Sequence, residues 1–354
     1  MKKMLSAALA LAVALGLLAG CSGAPASSAA SVSGAPAVSS SAAAGSAAPE
    51  STGTPAAERT AFRIASLKGP TTMGLVKLMD EADKGEARHD YEVTMYGAAD
   101  EIAPQLIKGD IDVALVPCNL ASVLYNNTEG AVQVLAINTL GVIYVIESGD
   151  SIQSVADLAG KTLYSTGQGT TPEFALNYIL EKNGLDPASD VTIEYRAEAT
   201  EVAAAAIADQ TAIAVLPQPY VTTVLNQNEN MRVALSLTEE WDKVGEGSAM
   251  ITGVVVARRA FVEENPEAVA AFLEEYAAST AFVNENPAEA AVWIGELGIA
   301  TAEVAEQAIP ACNIVCITGE EMQEKVSGYL EALYAQNPEA VGGNLPDADF
   351  YYLP

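Results

Sequence analysis

The amino-acid sequence predicts an α/β protein of two similar lobes, each built on a doubly wound sheet, joined by a hinge of two chain crossings. Patterns typical of buried strands alternate with helical patterns along most of the chain, which indicates βαβ units. Residues 101–117 are echoed at 201–217, and residues 68–72 at 167–171. In the first echo, identical residues recur as Glu101/Glu201, Ala103/Ala203, Ile107/Ile207, Ala114/Ala214 and Pro117/Pro217. Two similar lobes predict a cleft between them, where ligands bind.

The N-terminal segment has the pattern of a secretory signal followed by a tether. A positively charged start precedes an apolar run from Leu5 to Leu18, so residues 1–20 are expected to be a signal peptide. The ending Leu18-Ala-Gly-Cys21 resembles a bacterial lipoprotein signal, in which Cys21 is lipidated, for example with palmitate. Ordinary secretion, with Cys21 inside a propeptide, is the alternative. Residues 21–60 are almost all Ala, Ser, Gly and Pro, which predicts a disordered tether.

Charge and cysteine content exclude several classes of protein. The net charge of −29 argues against binding to nucleic acid or to an anionic lipid surface, except through the anchor. After Cys21 the cysteines are Cys118, Cys312 and Cys316. Because three cysteines cannot all be paired within the chain, the protein is not a scaffold held together by disulfide bonds. Cys312 and Cys316 would share one face of a helix, where two small buried hydrophobes are favoured over a disulfide or metal pair. No cofactor and no metal are expected.

The order of strands and helices predicts where the lobes begin and end. Strands are predicted at 62–67, 91–96, 111–116, 132–137, 141–147, 161–165, 191–195, 212–216 and 253–257, in largely parallel sheets. A hinge is expected at 148–150, and the strand at 253–257 returns the chain to the first lobe. Lobe I is therefore expected to comprise residues 61–148 and 249–354, and lobe II residues 149–248.

Loops that follow the strands are the expected binding site, because doubly wound sheets bind ligands beyond the carboxyl ends of their strands. Glycine permits close approach of the backbone, threonine hydroxyls donate, and helix N-termini offer free N–H groups. The candidates in four such loops are Lys68, Gly69, Thr71, Thr72, Pro117, Cys118, Asn119, Thr166, Gly167, Gln168, Gly169, Thr170, Thr171, Pro217, Gln218 and Tyr220. Cys118 is expected to line the site rather than to act as a nucleophile.

Several candidates have a structural alternative. The threonines would otherwise only cap their own helices, one running from Thr71 or Thr72 through Met79. The second helix starts either at Thr170, in a capping box with Glu173, or at Thr171 followed by proline.

The roles of four residues also stay open. Tyr96 and Tyr220 are either stacking walls or packing residues. Asp100 pairs with a ligand cation or is a solvated cap, and Asn119 can cap the helix that follows it.

Catalytic motifs are weak in this sequence. His89 is the only histidine, which excludes a His-Glu-x-x-His zinc site and leaves no convincing catalytic triad. No Walker-type phosphate loop is present, and Gly167-Gln-Gly169 alone is a weak signal. The protein is therefore expected not to be an enzyme, although paired carboxylates remain open as an alternative.

In their order along the chain, these segments resemble the substrate-binding lipoproteins of ABC importers, in the nitrate/sulfonate/taurine and thiamine-precursor branch. The motifs that carry the resemblance are 68–72, 116–120, 136–141, 161–169, 216–220 and 311–314. The motif at 136–141 adds Thr139 to the candidate residues. The resemblance implies the type II periplasmic-binding-protein fold and capture of a solute by lobe closure. It also implies delivery to a membrane permease.

The expected function is that of a lipid-anchored, monomeric solute receptor on the extracytoplasmic face of the cell membrane. Its solute is expected to be small, and an anionic or heteroaromatic compound is favoured. A secreted enzyme and a sensor lipoprotein on the same fold are the alternatives.

Overall fold

Two mixed sheets organise the chain in the computed structural model, which describes residues 59–209, 211–245 and 247–353. The strands are β1 (Ala61–Leu67), β2 (Asp90–Tyr96), β3 (Val113–Pro117), β4 (Val132–Leu140), β5 (Ile143–Ser148), β6 (Thr162–Ser165), β7 (Thr192–Tyr195), β8 (Ile213–Pro217), β9 (Met231–Ser236), β10 (Ile251–Arg258) and β11 (Ile314–Ile317). The predicted signal peptide, Cys21 and nearly all of the predicted tether lie outside the described residues.

Helices cover both sheets. They are α1 (Pro70–Met73), α2 (Val76–Asp83), α3 (Ala99–Lys108), α4 (Cys118–Asn127), α5 (Thr171–Lys182), α6 (Ala199–Ala208), α7 (Tyr220–Gln227), α8 (Leu237–Val244), α9 (Arg259–Glu264), α10 (Pro266–Glu285), α11 (Pro287–Glu296), α12 (Ala302–Ala308) and α13 (Gly319–Gln336). Within the described part of the chain, no helix combines the length and the apolar character that crossing a membrane requires.

The two sheets share one topology. Lobe I contains the six-stranded sheet, in the order β11-β4-β10-β3-β1-β2, and lobe II the five-stranded sheet, in the order β7-β6-β8-β5-β9. The pairs β1·β2, β1·β3, β6·β7 and β6·β8 are parallel, whereas β10, β11 and β5 pair only with antiparallel neighbours. The predicted two-lobed α/β fold is confirmed, although each sheet is mixed rather than largely parallel.

Each sheet contains one strand that the chain forms directly after crossing over from the other lobe. After β4 the chain enters the second sheet directly as β5, between β8 and β9, and after α8 it returns as β10, between β3 and β4. The first crossing therefore lies at Gly141–Val142, and the predicted hinge at 148–150 is wrong. The apolar strand at 143–148 carries no sequence feature that tells which of two similar sheets it completes.

The echo seen in the sequence corresponds to equivalent elements. Helix α3 begins at Ala99 and α6 at Ala199, while β3 ends at Pro117 and β8 at Pro217. Both helices begin in the same way, because the carboxylate at the third helical position accepts from backbone N–H groups of the preceding loop. Glu101 accepts from Ala98 N at 3.2 Å, and Glu201 from Ala197 N at 3.0 Å.

The helix predicted from Thr71 or Thr72 through Met79 is interrupted. It forms the four-residue α1 and then α2, with Gly74 between them. The Ser279 hydroxyl enters this break, donating to Gly74 O at 2.7 Å and accepting from Leu78 N at 3.2 Å. A Cβ at Gly74 would lie 3.0 Å from side chains of both Thr280 and Ile314, so glycine allows this close packing.

The three cysteines after Cys21 are free thiols. Cys312 follows a short 3₁₀ helix and is buried 4.0 Å from Met73 Sδ, whereas Cys316 lies on β11. The predicted shared helical face is therefore wrong, because the chain becomes a strand between them. Among the described residues, no group of three or more His, Cys, Asp or Glu could hold a metal ion.

Candidate ligand-binding cleft

A cleft lies between the two lobes, at the ends of their strands. Its volume of about 480 Å³ is within the range of small-molecule sites. Its lining residues are Leu67, Lys68, Pro70, Thr71, Gly97, Ala98, Ala99, Asp100, Pro117, Ile143, Thr166, Gly167, Gln168, Thr170, Thr171, Pro172, Tyr195, Arg196, Ala197, Glu198, Ala199, Pro217, Tyr220 and Thr252. Both lobes contribute, and the echoed Pro117 and Pro217 are on opposite walls.

The wall from lobe I begins with the turn before α1. Gly69 has a φ of 143°, a backbone conformation that side chains disfavour, and it precedes Pro70 at the start of the helix. Thr71 and Thr72 both donate to Leu67 O, at 2.8 and 2.5 Å. Only Thr71 reaches the cleft, because Thr72 points into the lobe and also contacts Ser66 Oγ at 2.8 Å. Neither threonine caps α1, whose cap is Gly69.

The wall from lobe II is the turn before α5. Thr170 is the N-cap, but its hydroxyl donates to Gly167 O at 2.7 Å, and Glu173 accepts from Gly169 N at 2.5 Å. The predicted capping box between Thr170 and Glu173 therefore does not form, since the carboxylate reaches one residue further back. The free N–H groups of the twelve-residue α5 lie at the cleft, with Thr171 and Pro172 in its first turn.

Hydrogen bonds connect the lobes around the cleft, so the structure is a closed form. Tyr220 donates to Lys68 O at 3.4 Å, and Thr171 donates to Thr252 O at 3.4 Å. Asn119 Nδ2 donates to Gly169 O at 3.2 Å. Burial raises the pKa of Tyr220 to about 12, so its hydroxyl remains a donor at neutral pH.

Four charged side chains line the cleft, a cation and an anion from each lobe. Lobe I contributes Lys68 and Asp100, and lobe II contributes Arg196 and Glu198. The Lys68 ammonium has no hydrogen bond or ion pair with any described residue. Arg196 lies over the Tyr164 ring, with Cζ 5.2 Å from its centroid, and pairs with Glu194 at 3.1 Å. This arrangement can neutralise one charge of either sign on a ligand from both sides.

Most of the predicted site residues line the cleft. Those that do are Lys68, Thr71, Asp100, Pro117, Thr166, Gly167, Gln168, Thr170, Thr171, Pro217 and Tyr220. Those that do not are Gly69, Thr72, Tyr96, Cys118, Asn119, Thr139, Gly169 and Gln218.

The predicted residues outside the lining have structural contacts instead. Cys118 is completely buried behind Pro117, and burial raises the pKa of its thiol, so it neither lines the site nor reacts readily. Tyr96 donates to Gln105 Oε1 at 3.0 Å, and Gln218 Oε1 accepts from Thr222 Oγ1 at 2.8 Å. Thr139 is fully buried on β4, where it pairs with β10 on one side and β11 on the other.

Asn119 has a different role from the predicted helix cap. Helix α4 begins one residue earlier, at Cys118, with Pro117 as its N-cap. The Asn119 amide instead donates to Gly169 O and, at 3.1 Å, to Ala340 O. It therefore joins lobe II to the C-terminal segment that packs on lobe I.

The loop between β7 and α6 was missed by the sequence analysis. Tyr195, Arg196 and residues 197–199 all line the cleft. They stand one hundred residues after 95–99, part of which also lines it. Continuing the comparison of the two echoed segments a few residues before Glu101 and Glu201 would have pointed to this loop.

The fold and this cleft define a two-lobed protein with the periplasmic-binding-protein fold. Residues 128–290 match the sequence model of the NMT1/THI5-like family, and the family resemblance found in the sequence is confirmed. No curated protein sequence matches the chain.

Solved structures show the same fold. An ABC transporter protein of Parabacteroides distasonis is 24% identical with a TM-score of 0.69, over 83% of this chain and 99% of that one. The aliphatic sulphonate binding protein SsuA of Escherichia coli is 17% identical with a TM-score of 0.66, over 83% and 92% of the two chains. The alkanesulfonate-binding protein SsuA of Xanthomonas axonopodis pv. citri, bound to MOPS, is 17% identical with a TM-score of 0.63, over 82% and 96%.

Proposed function

We propose that this protein is an extracytoplasmic solute-binding lipoprotein that captures a small solute between its lobes and delivers it to an ABC import permease. One observation carries the proposal: hydrogen bonds across the cleft close two topologically equivalent lobes around a cavity of about 480 Å³. Such a cavity can hold a small solute between the lobes, and opening of the lobes would release it. The solute-binding proteins of similar fold support this function.

The chemistry of the lining supports binding rather than catalysis. Among the described lining residues there is no serine, cysteine or histidine, and hence no nucleophile paired with a histidine base. Apolar walls with a few charged groups are typical of sites that orient a ligand. The charge pairs from both lobes favour a solute with at least one ionised group, and an anionic or heteroaromatic compound remains the preferred class.

A solute that binds the closed form should stabilise the purified protein. At one hundred times its Kd, binding adds about 2.7 kcal/mol to the free energy of unfolding. Thermal unfolding against a broad panel of metabolites, with small-angle scattering to detect lobe closure, tests the proposal. A panel with no stabilising solute and no change in the radius of gyration would contradict it. Uptake of a stabilising solute should also slow in cells that lack the protein.

The two cations of the cleft should matter most for an anionic solute. Replacing Arg196 or Lys68 with alanine is expected to weaken binding of an anion about tenfold, since each removes a charge-assisted contact. Calorimetric titration of the stabilising anion measures the change. Arg88→Ala is the matched control, because Arg88 pairs with Glu274 on an exposed surface and not in the cleft. Equal affinities for all variants would exclude the cations from the site.

Lipidation of Cys21 is tested separately from binding. Cells fed an alkyne analogue of palmitate should label the wild-type protein and leave Cys21→Ser unlabelled and released from the membrane fraction. Cys118→Ser is the control, since that thiol is buried and should not affect labelling. Label retained in Cys21→Ser would contradict the proposed anchor.

A further inference from the structure

One face of helix α4 holds the C-terminal segment of the chain against lobe I. Asn119, Ser122 and Asn126 are spaced three and four residues apart, so their side chains share that face. All three donate to backbone carbonyl oxygens of residues 340–344. Ser122 Oγ and Asn126 Nδ2 both contact Val341 O, at 2.8 and 2.9 Å. The helix therefore binds the backbone of the segment, whatever side chains the segment carries.

The C-terminal segment also packs closely on this helix. Ala340 and Val341 are buried, and Gly342 has a φ of 88°. A Cβ at Gly342 would lie 3.0 Å from Val123 Cα, so glycine allows both this backbone conformation and the close approach. Packing and hydrogen bonds together fix the segment relative to α4.

Asn119 differs from the other two donors because it also reaches lobe II. Its Nδ2 carries two hydrogens and donates to Ala340 O at 3.1 Å and to Gly169 O at 3.2 Å. Asn119 is 1% exposed, and its Oδ1 has no hydrogen-bond partner among the described residues. The amide therefore acts here through its two donated bonds, one to the C-terminal segment and one to lobe II.

The bond to lobe II ends in the turn that forms a wall of the cleft. Gly169 does not line the cleft, but its neighbours Gln168 and Thr170 do. The Gly169 N–H donates to Glu173 within the same turn, at 2.5 Å. Both polar backbone groups of Gly169 are therefore bound, and Asn119 holds the turn from behind the residues that a solute would touch.

We propose that Asn119 is a positioning residue for solute binding, which couples lobe closure and the turn at Gly169 to the C-terminal segment. This inference rests on the proposed function and specifies how the closed form is held. When the lobes separate, the bond from Asn119 to Gly169 breaks, whereas the bond to Ala340 stays within lobe I. The Gly169 bond therefore favours the closed form. Because coupling between sites is reciprocal, a solute that closes the lobes should also slow local opening of residues 340–344.

Two asparagines on the same helix provide a matched pair of variants. Asn119→Asp and Asn126→Asp each replace an amide that donates to two backbone carbonyls with a carboxylate that can only accept. Asn126 donates to Val341 O and to Asn344 O at 2.7 Å, both in the C-terminal segment, and makes no hydrogen bond to lobe II among the described residues. Asn119→Ala and Asn126→Ala repeat the comparison without a new charge.

Hydrogen exchange measured by mass spectrometry on the purified, ligand-free protein tests both ends of the contact, and small-angle scattering detects opening of the lobes. The Asn126 variants should speed exchange in residues 338–345 only. The Asn119 variants should also speed exchange about tenfold in residues 166–173 and raise the radius of gyration, since losing one hydrogen bond shifts the ratio of closed to open forms by about that factor. Asn119 variants that affect residues 338–345 only, or Asn126 variants that open the lobes equally, would overturn the inference.

The failure of this inference differs from failure of the proposed function, because the exchange measurement needs no solute. If a metabolite stabilises the wild type and closes its lobes but the Asn119 variants leave residues 166–173 unchanged, the positioning role fails and the receptor function stands. If the Asn119 variants open the ligand-free protein but no metabolite stabilises the wild type, the coupling stands and the receptor function fails.

Discussion

Replacing Trp241 with alanine is expected to lower the free energy of unfolding by about 3–5 kcal/mol, the cost of deleting a large buried aromatic side chain. Trp241 on α8 is fully buried between two tyrosines, stacked on Tyr178 of α5 with ring centroids 4.4 Å apart and tilted against Tyr329 of α13 at 5.2 Å. Its indole N–H also donates to Ser248 O at 3.0 Å. The variant would lose packing and leave an unpaired carbonyl.

Chemical denaturation monitored by circular dichroism measures this loss. The other tryptophan of the sequence provides the control, because Trp293 is only partly buried and contacts Phe282 and Lys77. Trp293→Ala should cost clearly less than Trp241→Ala. Equal losses would show that the aromatic stack on α5, α8 and α13 has no special weight in holding the lobes together.

The second large effect concerns a buried carboxylate in lobe I. Asp112 is 4% exposed at its side chain and accepts hydrogen bonds from Arg63 and Arg258, each at 2.6 Å. Breaking a buried ion pair costs about 3–5 kcal/mol. For Asp112→Asn we expect about 3 kcal/mol, the lower end, because Arg63 is 46% exposed and can be hydrated. Asp90→Asn is the control, since Asp90 pairs with Arg59 on the surface and should contribute less than about 1 kcal/mol.

The contribution of Asp112 should also depend on pH. Burial alone would raise its pKa, but hydrogen bonds from Arg63 and Arg258 outweigh burial and hold the pKa below its ordinary value. A lowered pKa in the folded state means that the stabilisation is present above the unfolded pKa of about 3.9 and is lost as pH falls through the folded pKa. The difference between wild type and Asp112→Asn should therefore be constant near neutrality and shrink in acid below about pH 4. A difference that grows on acidification would contradict this account.

Local patterns predicted most of the fold because the same short signals occur in both lobes. Glu101 and Glu201 mark equivalent helix starts, and Pro117 and Pro217 mark equivalent strand ends. The partner of β5 was not predictable in this way, since an apolar strand fits either of two similar sheets. The break in the first helix depends on Ser279, about two hundred residues away in sequence, and no local pattern reports such a contact.

The sequence predicted those parts of the candidate site that lie in loops directly after strands. Lys68, Thr71 and Tyr220 are at the cleft as expected, whereas Cys118 and Thr72 point into the lobe although their neighbours line the site. Which of two adjacent residues faces a cavity depends on the direction of each side chain, which spacing alone does not give.

The exchange of strands between the lobes has a consequence for synthesis of the chain. Strand β10 lies between β3 and β4, so before it is made the sheet of lobe I consists of two separate pieces. A nascent chain that has emerged only as far as β9 holds a complete second sheet and an incomplete first one. We therefore expect lobe II to be able to form from a chain that has emerged as far as β9, and lobe I to join the two pieces of its sheet only once the chain through Arg258 is available.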